Sequence, residues 1–75
     1  MAIKAFILIE VEHRRTEVVT NALRKLSRVK SVNPVTGPYD IISVIEGESM
    51  NDIGELVTGK IQSIAGVHRT VTCLA

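Results

Sequence analysis

Hydrophobic positions in the segment Ile3 to Val11 leave neither of its two sides uniformly polar. One side carries Ile3, Ala5, Ile7, Ile9 and Val11. The other carries Lys4, Phe6, Leu8 and Glu10, apolar in the middle and charged at the ends. A sheet with one wet face alternates cleanly between apolar and polar residues, so both faces of this strand are expected to be covered. The period then changes. Val19, Ala22, Leu23 and Leu26, with Val18 beside them, recur at helical spacing and predict an amphipathic helix over residues 17–28. Thr16 is its expected N-cap, and Glu17 lies near the positive end of the helix dipole.

Val29 to Thr36 reads as a second strand, interrupted by Pro34. Proline supplies no ladder donor, which places that strand at an edge or a bulge. Gly37-Pro38 makes a tight turn, and Tyr39 to Glu46 a third strand. Ser49 and Asp52 form Ser-x-x-Asp, a variant of the capping box. Ile53, Leu56, Val57, Ile61 and Ile64 then give the apolar stripe of a second helix. Gly54 and Gly59 inside it cost about 1 kcal/mol each relative to alanine, so packing must hold it. Gly66 suits a left-handed stop, and Val67 to Leu74 is the last strand. The order β-α-β-β-α-β predicts an α+β, ferredoxin-like fold: an antiparallel sheet with both helices on one face. The other face would be left bare. Phe6 and Leu8 are therefore expected in an oligomer interface, through sheet-to-sheet or edge-to-edge pairing.

Composition strengthens that expectation. The chain has 75 residues, enough for one domain, yet 45% are hydrophobic and mean hydropathy is +0.25. A domain this small buries only about 60% of the surface its unfolded chain exposes, so a subunit interface is the natural place for the excess. The single cysteine, Cys73, excludes an internal disulfide, and no Cys/His cluster has zinc spacing. No metal or cofactor is implied, and the usage fits an oligomeric cytosolic protein. The apolar run Ala5 to Ile9 is too short to span a membrane and ends at Glu10. Net charge is +1 but uneven: residues 1–38 hold seven Lys/Arg and three acids, residues 39–75 two and five. The basic excess centres on Arg24, Lys25, Arg28 and Lys30, the first three falling towards the last turn of the first helix, where they oppose the dipole's negative end. The same cluster could serve as a weak patch for nucleic acid or an acidic partner.

No nucleophile–base pair is visible; His13 and His68 stand alone, and no phosphate loop appears. Asp40 is different, because it follows directly on a turn and precedes Ile41-Ile42, at the rim of an apolar strand. A carboxylate there can meet an ammonium, and Gly37 lets a ligand approach the backbone. It can equally bond nearby backbone N–H groups and hold its turn. Tyr39 is either a core ring or a pocket wall. Thr70 and Thr72 share a strand face, where they either bond a ligand carboxylate or amide or act as ordinary β-branched strand residues.

Two segments carry a resemblance that covers essentially the whole chain. Val35-Thr36-Gly37-Pro38-Tyr39-Asp40-Ile41 and Ala65-Gly66-Val67-His68-Arg69-Thr70-Val71-Thr72, in this order with a helix between, resemble the effector-binding (RAM) domain of the Lrp/AsnC, or feast/famine, transcription regulators. The resemblance implies a non-catalytic, amino-acid-sensing module of the dimeric α+β barrel type, assembled as a homo-oligomer. Gly37, Tyr39 and Asp40 would line an effector pocket at a dimer–dimer contact, with Thr70 and Thr72 contributing from the last strand. Pro38 stands where many members carry a polar residue. The chain opens where the effector domain would open, so a stand-alone module lacking the helix-turn-helix is expected. It would bind no operator sequence itself and would act by ligand binding or by co-assembly with a full-length Lrp/AsnC regulator. Small dimeric α+β-barrel monooxygenases and isomerases share the outline, but no buried base marks such a site here. RNA binding on the sheet would need aromatic platforms beyond Phe6.

Overall fold

A computed structural model describes residues 2–75. The elements are β1 (Ile3–Val11), α1 (Thr16–Arg24), β2 (Val29–Pro34), β3 (Ile41–Gly47), α2 (Met50–Leu56), a π-helical turn (Val57–Ile61) and β4 (Val67–Leu74). The strands make one antiparallel sheet in the order β2-β3-β1-β4. This is the ferredoxin-like arrangement, and β1 and β4 have the bounds expected from sequence. No helix among the described residues is long and apolar enough to cross a membrane.

The core lies on one side of the sheet. Ala5, Ile7 and Ile9 of β1 and Ile41 and Ile45 of β3 are fully enclosed beneath Val19 and Leu23 of α1 and Ile53 and Ile61 of the second helical segment. Each of the isoleucine, valine and leucine side chains contributes about 1.5–3 kcal/mol by leaving water. Ser43 is buried among them, and its hydroxyl donates to the Ser31 carbonyl at 2.7 Å. That bond satisfies a polar group where the β2–β3 register shifts between Val29 and Ser31.

Two helical expectations need correction. Thr16 is not the N-cap; Arg15 takes that position, without a side-chain cap bond, and Thr16 is already helical. The cause lies just upstream, where Arg14 adopts φ +63° and Arg15 N–H bonds the Glu12 carbonyl, turning the chain earlier. The helix also stops at Arg24, not at residue 28. Lys25 and Leu26 donate to carbonyls only three residues back, and Val29 N–H bonds the Leu26 carbonyl to begin β2. Leu26 still packs on the core, so its spacing predicted burial correctly and backbone wrongly.

The second helix starts as expected. Ser49 Oγ accepts from Asp52 N–H at 3.2 Å, and Asp52 Oδ2 accepts from Glu48 N–H at 2.9 Å. It does not stay α-helical. From Val57 the turn widens, with Gln62 N–H bonding the Val57 carbonyl five residues back. Leu56, Val57 and Ile61 are all buried across this join, which is what the wider turn accommodates.

The sheet's two edges differ. β2 is six residues long, carries exposed Lys30 at its register shift and ends in Pro34. β4 runs eight residues without proline or lysine, its irregularity confined to His68, where the register with β1 shifts between Glu10 and Val11. β1 and β3 are both central.

Candidate functional site

β1 runs two residues beyond its last pair with β3, Ile9 with Ile41. Val11 N–H therefore has no β3 carbonyl to meet. Asp40 fills that gap: its Oδ2 accepts from Val11 N–H at 2.8 Å, its own N–H donates to the Ile9 carbonyl at 2.9 Å, and its carbonyl accepts from Val35 N–H at 2.9 Å. The carboxylate thus ties β1 to the turn preceding β3, across 29 residues of sequence. Gly37 in this turn has φ +117° with nothing within 4 Å of where a Cβ would stand, so it serves the turn's shape. Tyr39 and Asp40 are half-buried. Asp40→Ala is expected to cost about 1.5 kcal/mol of stability, the lower end for a hydrogen bond to a charged group, because the site is partly wet. Asp40→Asn, which keeps an acceptor oxygen, should retain most of it in a thermal melt. Equal losses for the two would show that charge, rather than the strand tie, sets the effect.

Thr70 and Thr72 lie elsewhere. They pair with Ile9 and Ile7, so they face the helical side of the sheet, but on an edge strand that α2 does not cover. A half-open cavity of about 430 Å³ results, walled by Ile53, Val57, Leu74, Gln62, Thr70 and Thr72. Gln62 Nε2 donates to Thr70 Oγ1 at 2.9 Å across it. Asp40, Tyr39 and Gly37 are not among its walls. Within one chain the predicted contacts fall into two groups, with β1 between them.

The face opposite the helices is bare. Phe6 is flanked in register by Val44 and Cys73, and Leu8 by Ile42 and Val71. Phe6 is 41% exposed and Val71 36%. Lys4 opposite Glu46 bounds this apolar block at one end; Glu10, with Arg69 at 3.7 Å and His68 at 3.5 Å, bounds it at the other. Ser31 and Asn33 of β2 close the third side. The basic cluster is on the helical side. Only Arg24 lies in the last turn of α1; Arg28 pairs with Asp52 at 3.4 Å, and Lys30 donates to the Ser27 carbonyl at 3.4 Å.

A family model described as the Lrp/AsnC ligand binding domain matches residues 4–75. The chain belongs to that family. The Lrp/AsnC domain is a regulatory one and not catalytic. Among solved structures, TTHA0845 from Thermus thermophilus is 37% identical, with a TM-score of 0.92 covering 97% of this chain and 91% of that one. The hypothetical protein PHS023 from Pyrococcus horikoshii is 29% identical, with a TM-score of 0.91 covering 100% of this chain and 89% of that one. A homocitrate synthase of Sulfurisphaera tokodaii is 32% identical over 73 residues, 96% of this chain. The match spans only 16% of that enzyme's length.

For a Lrp/AsnC domain, sequence reasoning named Phe6 and Leu8 and missed Ile42, Val44, Val71 and Cys73 beside them. The signal was present: Ile41 to Ile45 is apolar on both faces, as β1 is. Gln62 was missed because a lone glutamine at a helix end carries no motif.

Proposed function

We propose that this Lrp/AsnC domain works as an oligomer that binds a small amino acid and passes the signal to a partner protein. The bare apolar block carries the reading: Phe6, Leu8, Ile42, Val44, Val71 and Cys73 are contiguous and bounded by charge, as an interface core is by its rim. Such a block would be an aggregation site if it stayed in water. Gly37, Tyr39, Asp40, Thr70 and Thr72 are the proposed ligand contacts. Because β1 separates Asp40 from the two threonines, a ligand touching both would draw Asp40 from one subunit and Thr70 or Thr72 from another. Asp40 can meet an ammonium only with the carboxylate capacity that Val11 leaves over.

The output would be indirect. A co-assembled Lrp/AsnC regulator is the proposed partner. The match within a homocitrate synthase supports a module whose partners include enzymes as well as regulators. The test is native mass measurement combined with a thermal-stability screen of the twenty amino acids. We expect a dimer or an assembly of dimers at micromolar concentration, stabilised by at least one amino acid. An assembly indifferent to all twenty would leave a scaffold and remove the sensor.

A further inference from the structure

We propose that the groove between α1 and α2 docks an acidic amphipathic helix of a partner protein. The inference rests on the partner reading above and gives that partner a place and a chemistry; it does not depend on which amino acid is sensed. α1 ends at Arg24 and the chain turns away to β2, so the two helices barely approach each other. Between them lies an open trough of about 550 Å³. Its apolar lining is Leu26 and Leu56. Gly59 stands beside them, with nothing within 4 Å of where a Cβ would be.

The charges around the trough are unequal. Arg28 and Asp52 pair with each other at 3.4 Å, and Asp52 also accepts from Glu48 N–H, so that acid is committed. Lys25 and Lys60 line the groove as well, both exposed and with no acidic partner among the described residues. Glu55 is the one lining acid left over, against two lysines. An occupant must therefore bring more acid than base, and apolar side chains for Leu26 and Leu56. A helix meets both demands, with leucine-like residues at three- and four-residue spacing and carboxylates beside them. Gly59 lets its backbone come close. A nucleic-acid strand fits less well, because its phosphates gain nothing from the leucines and would meet Asp52 and Glu55. The chain's own helices are poor occupants, since Val19, Leu23, Ile53 and Leu56 are already buried in the core.

Fluorescence anisotropy tests the proposal, using a dye-labelled helical peptide of about 15 residues with leucines on one face and glutamates flanking them. It should bind with a Kd of roughly 10–100 µM, as for a small transient contact, and weaken as salt rises. Lysines in place of its glutamates, or serines in place of its leucines, should abolish binding. Amide shifts on titration should fall on residues 25–28 and 55–60. Lys25→Glu combined with Lys60→Glu should weaken the peptide roughly tenfold. Gly59→Leu should do the same by filling the trough, while the melting temperature holds or rises, since leucine is a better helix former than glycine. Equal binding by the lysine or serine peptide, shifts centred on Phe6 and Leu8, or binding that survives both variants would overturn the assignment. Duplex DNA competing equally at the same residues would make the groove a nucleic-acid surface instead. Self-association lost with Gly59→Leu would give it to a second copy. No binding at about 1 mM peptide would remove the docking site. The partner reading fails separately, if the assembled protein and a full-length Lrp/AsnC regulator do not co-sediment.

Discussion

Leu8→Glu is expected to turn the assembled protein into a folded monomer. Leu8 lies at the centre of the bare face, with Ile42 on one side and Val71 on the other in direct register. Its side chain points away from the helices, so the core beneath Ile7 and Ile9 is untouched. In a two-fold pairing the same residue occurs on both subunits, and the penalty is incurred twice. Each copy loses about 2 kcal/mol of apolar burial and leaves a carboxylate without water or partner, which costs several kcal/mol more. Association should weaken by roughly three orders of magnitude or more, which is visible by sedimentation velocity with circular dichroism unchanged. A parent protein that sediments as a monomer at micromolar concentration would end the argument for this face.

Gly66→Ala should be the most damaging small substitution in the fold. Gly66 has φ +104°, and a Cβ there would stand 2.9 Å from Arg15 Cβ and 3.1 Å from Val19 Cγ2. Val19 is fully buried, and the Gly66 carbonyl is held by Glu12 N–H at 2.7 Å, so neither side can move freely. Left-handed strain of about 1–2 kcal/mol adds to overpacking of about 1–3 kcal/mol. We expect a loss of about 3 kcal/mol, lowering the melting temperature by roughly 15 °C in a domain of this size. Gly37→Ala is the control. Its φ is +117° but its surroundings are open, so about 1 kcal/mol of strain is all it should show. Equal losses at the two positions would mean that the contact with α1 has no weight.

What could be read from sequence was what depends on near neighbours. β1 and β4 declared themselves by β-branched runs, Ser49 and Asp52 by spacing, and Pro34 placed β2 at an edge. The errors came where distant parts decide. α1 ends early because the chain must return to β2, and helical periodicity at Leu26 cannot distinguish a helix from a turn that buries the same residue. The stripe Ile53, Leu56, Val57, Ile61 suits an α-helix and a π-turn alike, since both put these side chains inward. At the site, Asp40 was visible as a rim carboxylate. Its partner, Val11 N–H, follows from β1 overrunning β3, a difference in strand length that only register reveals. The apolar block was half visible for the same reason: Phe6 and Leu8 stand out within one strand, whereas Ile42 and Val71 become their neighbours only once three strands are aligned.

The unequal edges of the sheet set a limit on growth. β2, with its proline and lysine, offers a poor template for a further strand, whereas β4 offers a regular row of backbone groups from Arg69 to Leu74. If two copies meet antiparallel along β4, the product is a continuous eight-stranded sheet whose outer margins are both β2. Extension then stops after one step. In such a pairing a chain rich in β-branched residues would form a closed pair, with the route to an open-ended fibre terminated at both ends.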